Sequence, residues 1–334
     1  MTTQARSLSA APAICSLISG SRTPACAANV TFVCEWERTE RIFEYLCRVM
    51  KAKLTFLGTG TSQGVPMIGC DCPVCTSSDP RDRHLRSSAL VEYGGLTILV
   101  DAGPDFRYQM LRQRVRHLDA IVLTHNHKDH TGGLDDIRAF NLIEGHPVNI
   151  FCEQYVCDTL KGEYPYAFAE DKYPGSPEWR VHIIDSKSPF RVHTNAIEEI
   201  LKWEKGFGYV HSRPAEVQDK SVEVIPIQGW HLSTKEISVL GYRFGNIAYM
   251  TDIKHIDDSE FEKLKGVEYV TLGCVKWAEH RSHPSVDQCL EFFERVGAKE
   301  SYITHLSHLL PKYSDFASML PPHVHPAYDG LVIE

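Results

Sequence analysis

The run Thr124-His125-Asn126-His127-Lys128-Asp129-His130-Thr131-Gly132-Gly133 sets three imidazoles and a carboxylate within six positions. It follows the apolar stretch Ala120-Ile121-Val122-Leu123. That places it at the end of a buried strand, where layered α/β folds expose their sites. His125 and His127 alternate onto one side of an extended backbone, and Asp129 and His130 come from the turn that follows. Imidazole nitrogen and carboxylate oxygen together suit Zn²⁺, Mn²⁺ or Fe²⁺. A second run, Cys70-Asp71-Cys72-Pro73-Val74-Cys75, offers three thiolates that can face one Zn²⁺. A tetrahedral structural site needs a fourth ligand, and His308, three residues after His305, is the candidate. A loop of reduced cysteines and a disulfide are the other readings of that run.

Around these residues, short β-rich runs alternate with helical ones. Strands are expected at 53–57, 89–93, 96–100, 120–124, 148–152, 181–184, 221–228, 237–244, 247–250, 269–272 and 302–304, with Gly94-Gly95 as a hairpin turn. Helices are expected at 106–116, 134–142, 258–264 and 286–296. The order starts with hairpins and ends in strand–helix alternation, which predicts two packed sheets covered by helices in one domain. The stretches 163–180 and 202–214 read as lid loops or structured connections.

The chain has 334 residues, of which 43% are hydrophobic, enough for a packed core. Its 43 acids against 35 Lys and Arg leave a net charge of −8, which argues against an extended nucleic-acid surface. A small anionic substrate stays admissible, because bound metal supplies positive charge that the count omits. No run of about 18 apolar residues is present to form a membrane-spanning helix. All 17 His follow residue 50, whereas four of the 11 Cys precede it. Residues 1–50 read as an extension outside the catalytic domain, either a disordered tail or the product of a start assigned too far upstream. Met50 and the strand beginning at Lys53 look like a natural start, and a broken apolar stretch at 8–20 is a poor secretion signal. The expected division is an extension at 1–50 and one folded domain at 51–334 that carries the candidate metal ligands, in the cytoplasm.

The run His125-Asn126-His127-Lys128-Asp129-His130 resembles the H-x-H-x-D-H signature of the metallo-β-lactamase superfamily, and the likeness extends over most of 53–334. That resemblance implies an α/β fold of the αββα kind, two mixed sheets flanked by helices with a metal site at one edge. Asp101-Ala102-Gly103 is similar to the strand-end Asp-x-Gly that precedes the signature. His231, Asp252 and His305 fall where the family's remaining ligands are expected. The implied arrangement has His125, His127 and His231 on one ion, Asp129, His130 and His305 on the other, and Asp252 between them. Two divalent ions, Zn or Mn, are implied there, with Asp129 serving catalysis as well as binding.

The glycine-rich start Gly58-Thr59-Gly60-Thr61-Ser62-Gln63-Gly64, the Cys loop and Thr304-His305-Leu306-Ser307-His308 resemble one subfamily, the phosphodiesterases of the carbon–phosphorus lyase pathway. These pair a catalytic dimetal site with a structural Cys₃His zinc, here Cys70, Cys72, Cys75 and His308. His283 resembles the family's acid histidine, and His280 is its rival. Arg281, Lys235 and Arg107 are either phosphate contacts or solvated cations.

The reaction expected is hydrolysis of a small cyclic phosphate or nucleotide-like diester. Two ions about 3.5–4 Å apart lower the pKa of a water and clamp the phosphate oxygens, while a histidine protonates the departing oxygen. Three alternatives carry weight. A transfer-RNA 3′-processing endonuclease uses similar chemistry, but the acidic balance and lack of a Lys- and Gly-rich arm disfavour it. A thioester or lactone hydrolase uses the same ligands, and a non-catalytic binding module would be expected to have lost some of them. The partner is therefore a small phosphodiester, with neither membrane nor nucleic acid expected. Homodimers are common in the wider family, although no stripe in this sequence marks an interface.

Overall fold

A computed structural model of the protein describes residues 51–195, 199–204, 208–212, 220–232 and 234–334. The reading of 1–50 as an extension lies outside the described residues, as does part of the expected connection at 202–214.

The strands are β1 Lys53–Gly58, β2 Ser88–Tyr93, β3 Leu96–Val100, β4 Ala120–Val122, β5 Val148–Cys152, β6 Trp179–Ile183, β7 Phe190–His193, β8 Glu199–Glu204 and β9 Gly208–Ser212. They continue with β10 Ser221–Trp230, β11 Ser238–Phe244, β12 Ile247–Tyr249, β13 His255–Ile256, β14 Tyr269–Gly273, β15 Glu300–Thr304, β16 Val324–Pro326 and β17 Val332–Ile333. The helices are α1 Phe106–Gln113, α2 Lys128–Thr131, α3 Arg138–Glu144, α4 Gln154–Glu163, α5 Pro165–Phe168, α6 Phe261–Leu264, α7 Val286–Val296 and α8 Tyr313–Met319.

Period-2 alternation in the strands builds three apolar layers. In β3, Ile98 and Val100 point to one side and Leu99 to the other. In β11 and β12, Leu240, Tyr242, Phe244, Ile247 and Tyr249 face the first set, while Val239 and Ala248 face away. The central layer therefore lies between two sheets, one ordered β17-β1-β2-β3-β4-β5-β6 and the other β13-β10-β11-β12-β14-β15-β16 with β7 paired to β10. Outside the first sheet pack Phe106 and Met110 of α1, Phe140 of α3, and Val156 and Leu160 of α4. Outside the second pack Leu264 of α6, Phe292 and Phe293 of α7, and Phe316 of α8. The result is the αββα sandwich. Both sheets are mixed: β1–β3 and β10–β12 pair antiparallel, as does β13 with β10, while β3–β6 and the series β12, β14, β15, β16 pair parallel.

The structure departs from the expected elements in several places. The helix expected at 134–142 is a 3-10 turn, Leu134–Ile137, running into α3. The expected lid stretch 163–180 holds α5 and ends in the first residues of β6. Helices α4 and α8 were not expected; α4 carries the weak helix formers Tyr155, Val156 and Thr159 and is held by burying Val156, Cys157 and Leu160. No helix among the described residues is long and apolar enough to cross a membrane.

Candidate metal centre

Five strands deliver chemistry-bearing residues at one edge of the sandwich, each just beyond its C-terminal end. Asp101 follows β3, the Thr124–His130 run follows β4, His231 follows β10, Asp252 stands three residues past β12, and His305 follows β15. Three of these residues, Asp101, Asp252 and His305, take φ of 61°, 56° and 56°, a left-handed conformation that non-glycine residues seldom adopt. Such strain concentrates where the surroundings must hold a side chain in one direction. The signature turn packs against the strand-end Asp-x-Gly because glycine permits it: a Cβ on Gly103 would lie 2.0 Å from the Asp129 carbonyl oxygen.

The structure brings the expected residues together. The His125 and His127 rings lie 4.5 Å apart, with the His231 ring 5.6 Å from the first and 4.9 Å from the second. Donor atoms of Asp129, His130 and His305 fall within 4.8 Å of one another, and those of His125, His130 and Asp252 form a second such group. Asp252 Oδ2 lies 3.3 Å from His130 Nε2 and its Oδ1 3.1 Å from His305 Nε2, and the same carboxylate lies within 4.8 Å of donor atoms of His125 and of His231.

Polar contacts behind the rings fix which nitrogen faces the centre. Asp101 Oδ2 lies 2.7 Å from His130 Nδ1, the Thr124 hydroxyl 2.9 Å from His125 Nδ1, and the Ser87 hydroxyl 3.1 Å from His305 Nδ1. His231 Nδ1 lies 2.9 Å from the Asp252 carbonyl oxygen. Each contact leaves Nε2 as the nitrogen free to bind. Nε2 of His125 and of His130 is buried without a hydrogen-bond partner. Buried carboxylates, moreover, require compensating charge. Burial opposes a charge on His130, yet Asp129, Asp252 and Asp101 hold its pKa well above the ordinary range. This donor set and its excess of negative charge fit divalent cations.

His283 sits inside the cluster. It is buried, its ring lies 4.7 Å from that of His231 and 5.1 Å from that of His305, and its Nδ1 is 3.7 Å from Asp252 Oδ1 with no hydrogen bond of its own. The capping box of α7, Ser285 with Gln288, fixes the end of the loop that carries it. His280 lies further out, its ring 5.2 Å from that of His283 and its Nδ1 accepting from the Ser282 amide.

A second donor group lies close by. Cys70, Cys72, Cys75 and His308 bring their donor atoms within 4.8 Å of one another, with His308 Nδ1 3.2 Å from Cys70 Sγ and 3.5 Å from Cys72 Sγ. The three cysteines are free thiols, which removes the disulfide reading. The Cys75 amide donates to Cys72 Sγ and lowers that thiol's pKa to about 6, while burial pushes Cys75 up to about 11. Three sulfurs and one nitrogen fit a closed tetrahedral zinc site. The glycine-rich start ties both centres together, since Gly60 bridges to Arg86 and to Leu306, between His305 and His308.

Two of the residues read as either phosphate contacts or solvated cations stand elsewhere. Lys235 is half exposed and paired with Asp257 at 2.5 Å, and Arg107 lines a groove between α1 and α3, because its helix lies over the outer face of the first sheet. Arg281 is exposed on the loop that carries His283. Thr124 and Ser87 were not singled out from the sequence; a hydroxyl beside a histidine 218 positions away leaves no local signal.

Residues 97–306 match the family described as Beta-lactamase superfamily domain. Among solved structures, the chain is similar to a diphosphatase from the PhnP family at 36% identity and a TM-score of 0.68, covering 85% of this chain and 98% of that one. Zn²⁺-bound PqqB from Methylobacterium extorquens shares the fold at 15% identity and a TM-score of 0.60, covering 84% and 99%. An octanoyltransferase of Porphyromonas gingivalis is 35% identical over 277 residues, 82% of this chain but 50% of that protein, so this chain spans about half the length of that relative. The signature, the sandwich that positions it and the match across residues 97–306 place the chain in the metallo-β-lactamase superfamily of metal-dependent hydrolases.

Proposed function

We propose that the protein is a dimetal phosphodiesterase acting on a small cyclic phosphate or nucleotide-like diester. The observation that carries this reading is His283, a buried imidazole without a hydrogen bond beside the shared carboxylate Asp252. An alkoxide leaving group needs a proton as it departs, whereas a thiolate does not, so a positioned histidine favours an oxygen ester over a thioester. The 36% identical PhnP-family diphosphatase supports phosphorus over carbon as the centre attacked.

His125, His127 and His231, whose rings lie 4.5 to 5.6 Å apart, would hold one divalent ion, Asp129, His130 and His305, whose donor atoms lie together, the other, and Asp252 both. When bound, two such ions lower the pKa of water and offset phosphate charge. Asp101, Thr124 and Ser87 orient the ligand rings, and Asp129 is held beside His130 at 3.3 Å. His283 would give a proton to the sugar oxygen as the P–O bond breaks, while water supplies the new oxygen on phosphorus and the proton that water releases restores His283. Cys70, Cys72, Cys75 and His308 would hold a structural zinc at the base of the same edge. Seven free cysteines among the described residues fit a reducing compartment, in keeping with a cytoplasmic enzyme.

The test is a panel of ribose and nucleoside cyclic phosphates, linear diesters, diphosphates, thioesters, lactones and a transfer-RNA precursor, each offered to metal-loaded protein. The reading expects a small cyclic diester to give the highest kcat/KM. A thioester, lactone or RNA turned over faster than every small phosphodiester would overturn it.

A further inference from the structure

On the far side of the first sheet, α1 and α3 leave a cavity of about 490 Å³. That volume lies within the range of about 300–1,000 Å³ typical of small-molecule pockets. Phe106, Met110, Val115, Phe140 and Ile143 line it, so its interior is apolar. Its remaining lining includes three guanidinium groups, Arg107, Arg114 and Arg116, against one carboxylate, Asp136. All three arginines are exposed, and none of their guanidinium groups has a hydrogen-bonding or ionic partner among the described residues. Other surface cations differ: Lys53 pairs with Glu92, Arg81 with Asp79 and Arg295 with Asp258, while the exposed Arg83 and Arg281 have no ionic partner among the described residues. An acidic protein that leaves three arginines unpaired around one apolar cavity offers complementary charge to an anion with a hydrocarbon body.

We propose that this cavity binds a single-chain amphiphilic carboxylate of the fatty-acid class, with its chain against Phe106, Met110 and Phe140 and its head on the arginines. An apolar interior without hydrogen-bond donors suits a hydrocarbon chain and disfavours a sugar or base. The concave shape takes one chain, and a net charge of −8 opposes adsorption to an anionic bilayer. The site is separate from the metal centre.

Calorimetric titration of the metal-loaded full-length protein with sodium decanoate, below micelle formation, tests this directly. The expected result is one molecule bound per chain. Binding of 1-decanol, and binding of decanoate to the double variant Arg114→Gln/Arg116→Gln, should each be weaker by about tenfold or more. Ala139 lines the same cavity, and Ala139→Phe should fill it and abolish binding while the circular dichroism spectrum and Tm are maintained. Four results would overturn the proposal: no saturable binding, equal affinity for decanoate and decanol, tighter association with phosphatidylglycerol vesicles than with decanoate, or a dimer in sedimentation velocity that Ala139→Phe dissociates.

Discussion

Asp101 Oδ2 lies 2.7 Å from His130 Nδ1, and the same carboxylate accepts from the Thr124 amide at 2.8 Å and the Thr124 hydroxyl at 2.9 Å. One buried carboxylate at the end of β3 thus sets the ring of His130 directly and that of His125 through Thr124, whose hydroxyl lies 2.9 Å from His125 Nδ1. Its left-handed backbone and complete burial mark it as a residue held in place for this purpose.

Asp101→Asn keeps the shape but loses the charge, and an amide nitrogen turned toward His130 Nδ1 would oppose the tautomer that frees Nε2. Removing such a partner lowers metal affinity by about 10–100-fold. Competition with a chelating dye should show that loss in Asp101→Asn, and an unchanged affinity would contradict the role given to Asp101.

Cys72→Ser should release one zinc per chain and leave the catalytic pair, since the two donor groups share no residue. Each kcal/mol lost lowers Tm by about 2–4 °C in a domain of this size, so a fall of several degrees is expected. Metal content by mass spectrometry and Tm by calorimetry check both halves, and unchanged zinc would remove the structural site.

His283→Ala should keep both catalytic ions and lose about 10²–10⁴-fold in kcat on a substrate with a poor leaving group, the range for a general acid. The deficit should shrink with a p-nitrophenolate leaving group, which needs no proton. His280→Ala should change kcat far less, as its ring is only partly buried and packs on that of His283, 5.2 Å away. Loss of a metal from His283→Ala would instead make His283 a ligand, a reading its position beside His231 and Asp252 makes specific.

Away from the site, His117 lies between Asp119 and Glu144, each at 3.0 Å. Burial disfavours its charge, but the two carboxylates outweigh that and raise its pKa to about 9. A pKa raised in the folded state stabilises fully below the unfolded value near 6.5 and loses that contribution as pH climbs through 9. The contribution is at most about 3 kcal/mol. Urea titrations at pH 6, 7.5 and 9.5 should show His117→Gln destabilised most at pH 6 and least at pH 9.5. A constant difference across that range would contradict the ion-paired state.

Much of this was legible before any coordinates. Apolar alternation located β1–β4, β10–β12 and β14, because each buries one or both faces in a continuous layer. The capping box and the αL Gly297 set the bounds of α7 within the expected 286–296. Helix α4 was illegible because its stability comes from packing Val156 and Leu160 under the first sheet, not from local propensity. At the site, the crowding of His125, His127, Asp129 and His130 was visible as spacing. His231, Asp252 and His305 needed the family resemblance, being separated by 21 residues in one case and 53 in the other. Ser87 and Thr124 stayed hidden because a hydroxyl becomes informative only once the fold sets an imidazole against it. Charge alone left Arg107 as either a phosphate contact or a solvated cation, and the fold places it on the outer groove.

The central claim, that this edge of the sandwich is a metal-dependent phosphodiesterase centre, is tested most directly by turnover of bis-p-nitrophenyl phosphate before and after chelation. Nitrophenol release should be abolished by a chelator, return with added Zn²⁺ or Mn²⁺, and be absent from Asp252→Ala. Release that survives full removal of metal, or metal-loaded protein that hydrolyses no phosphodiester, would contradict it.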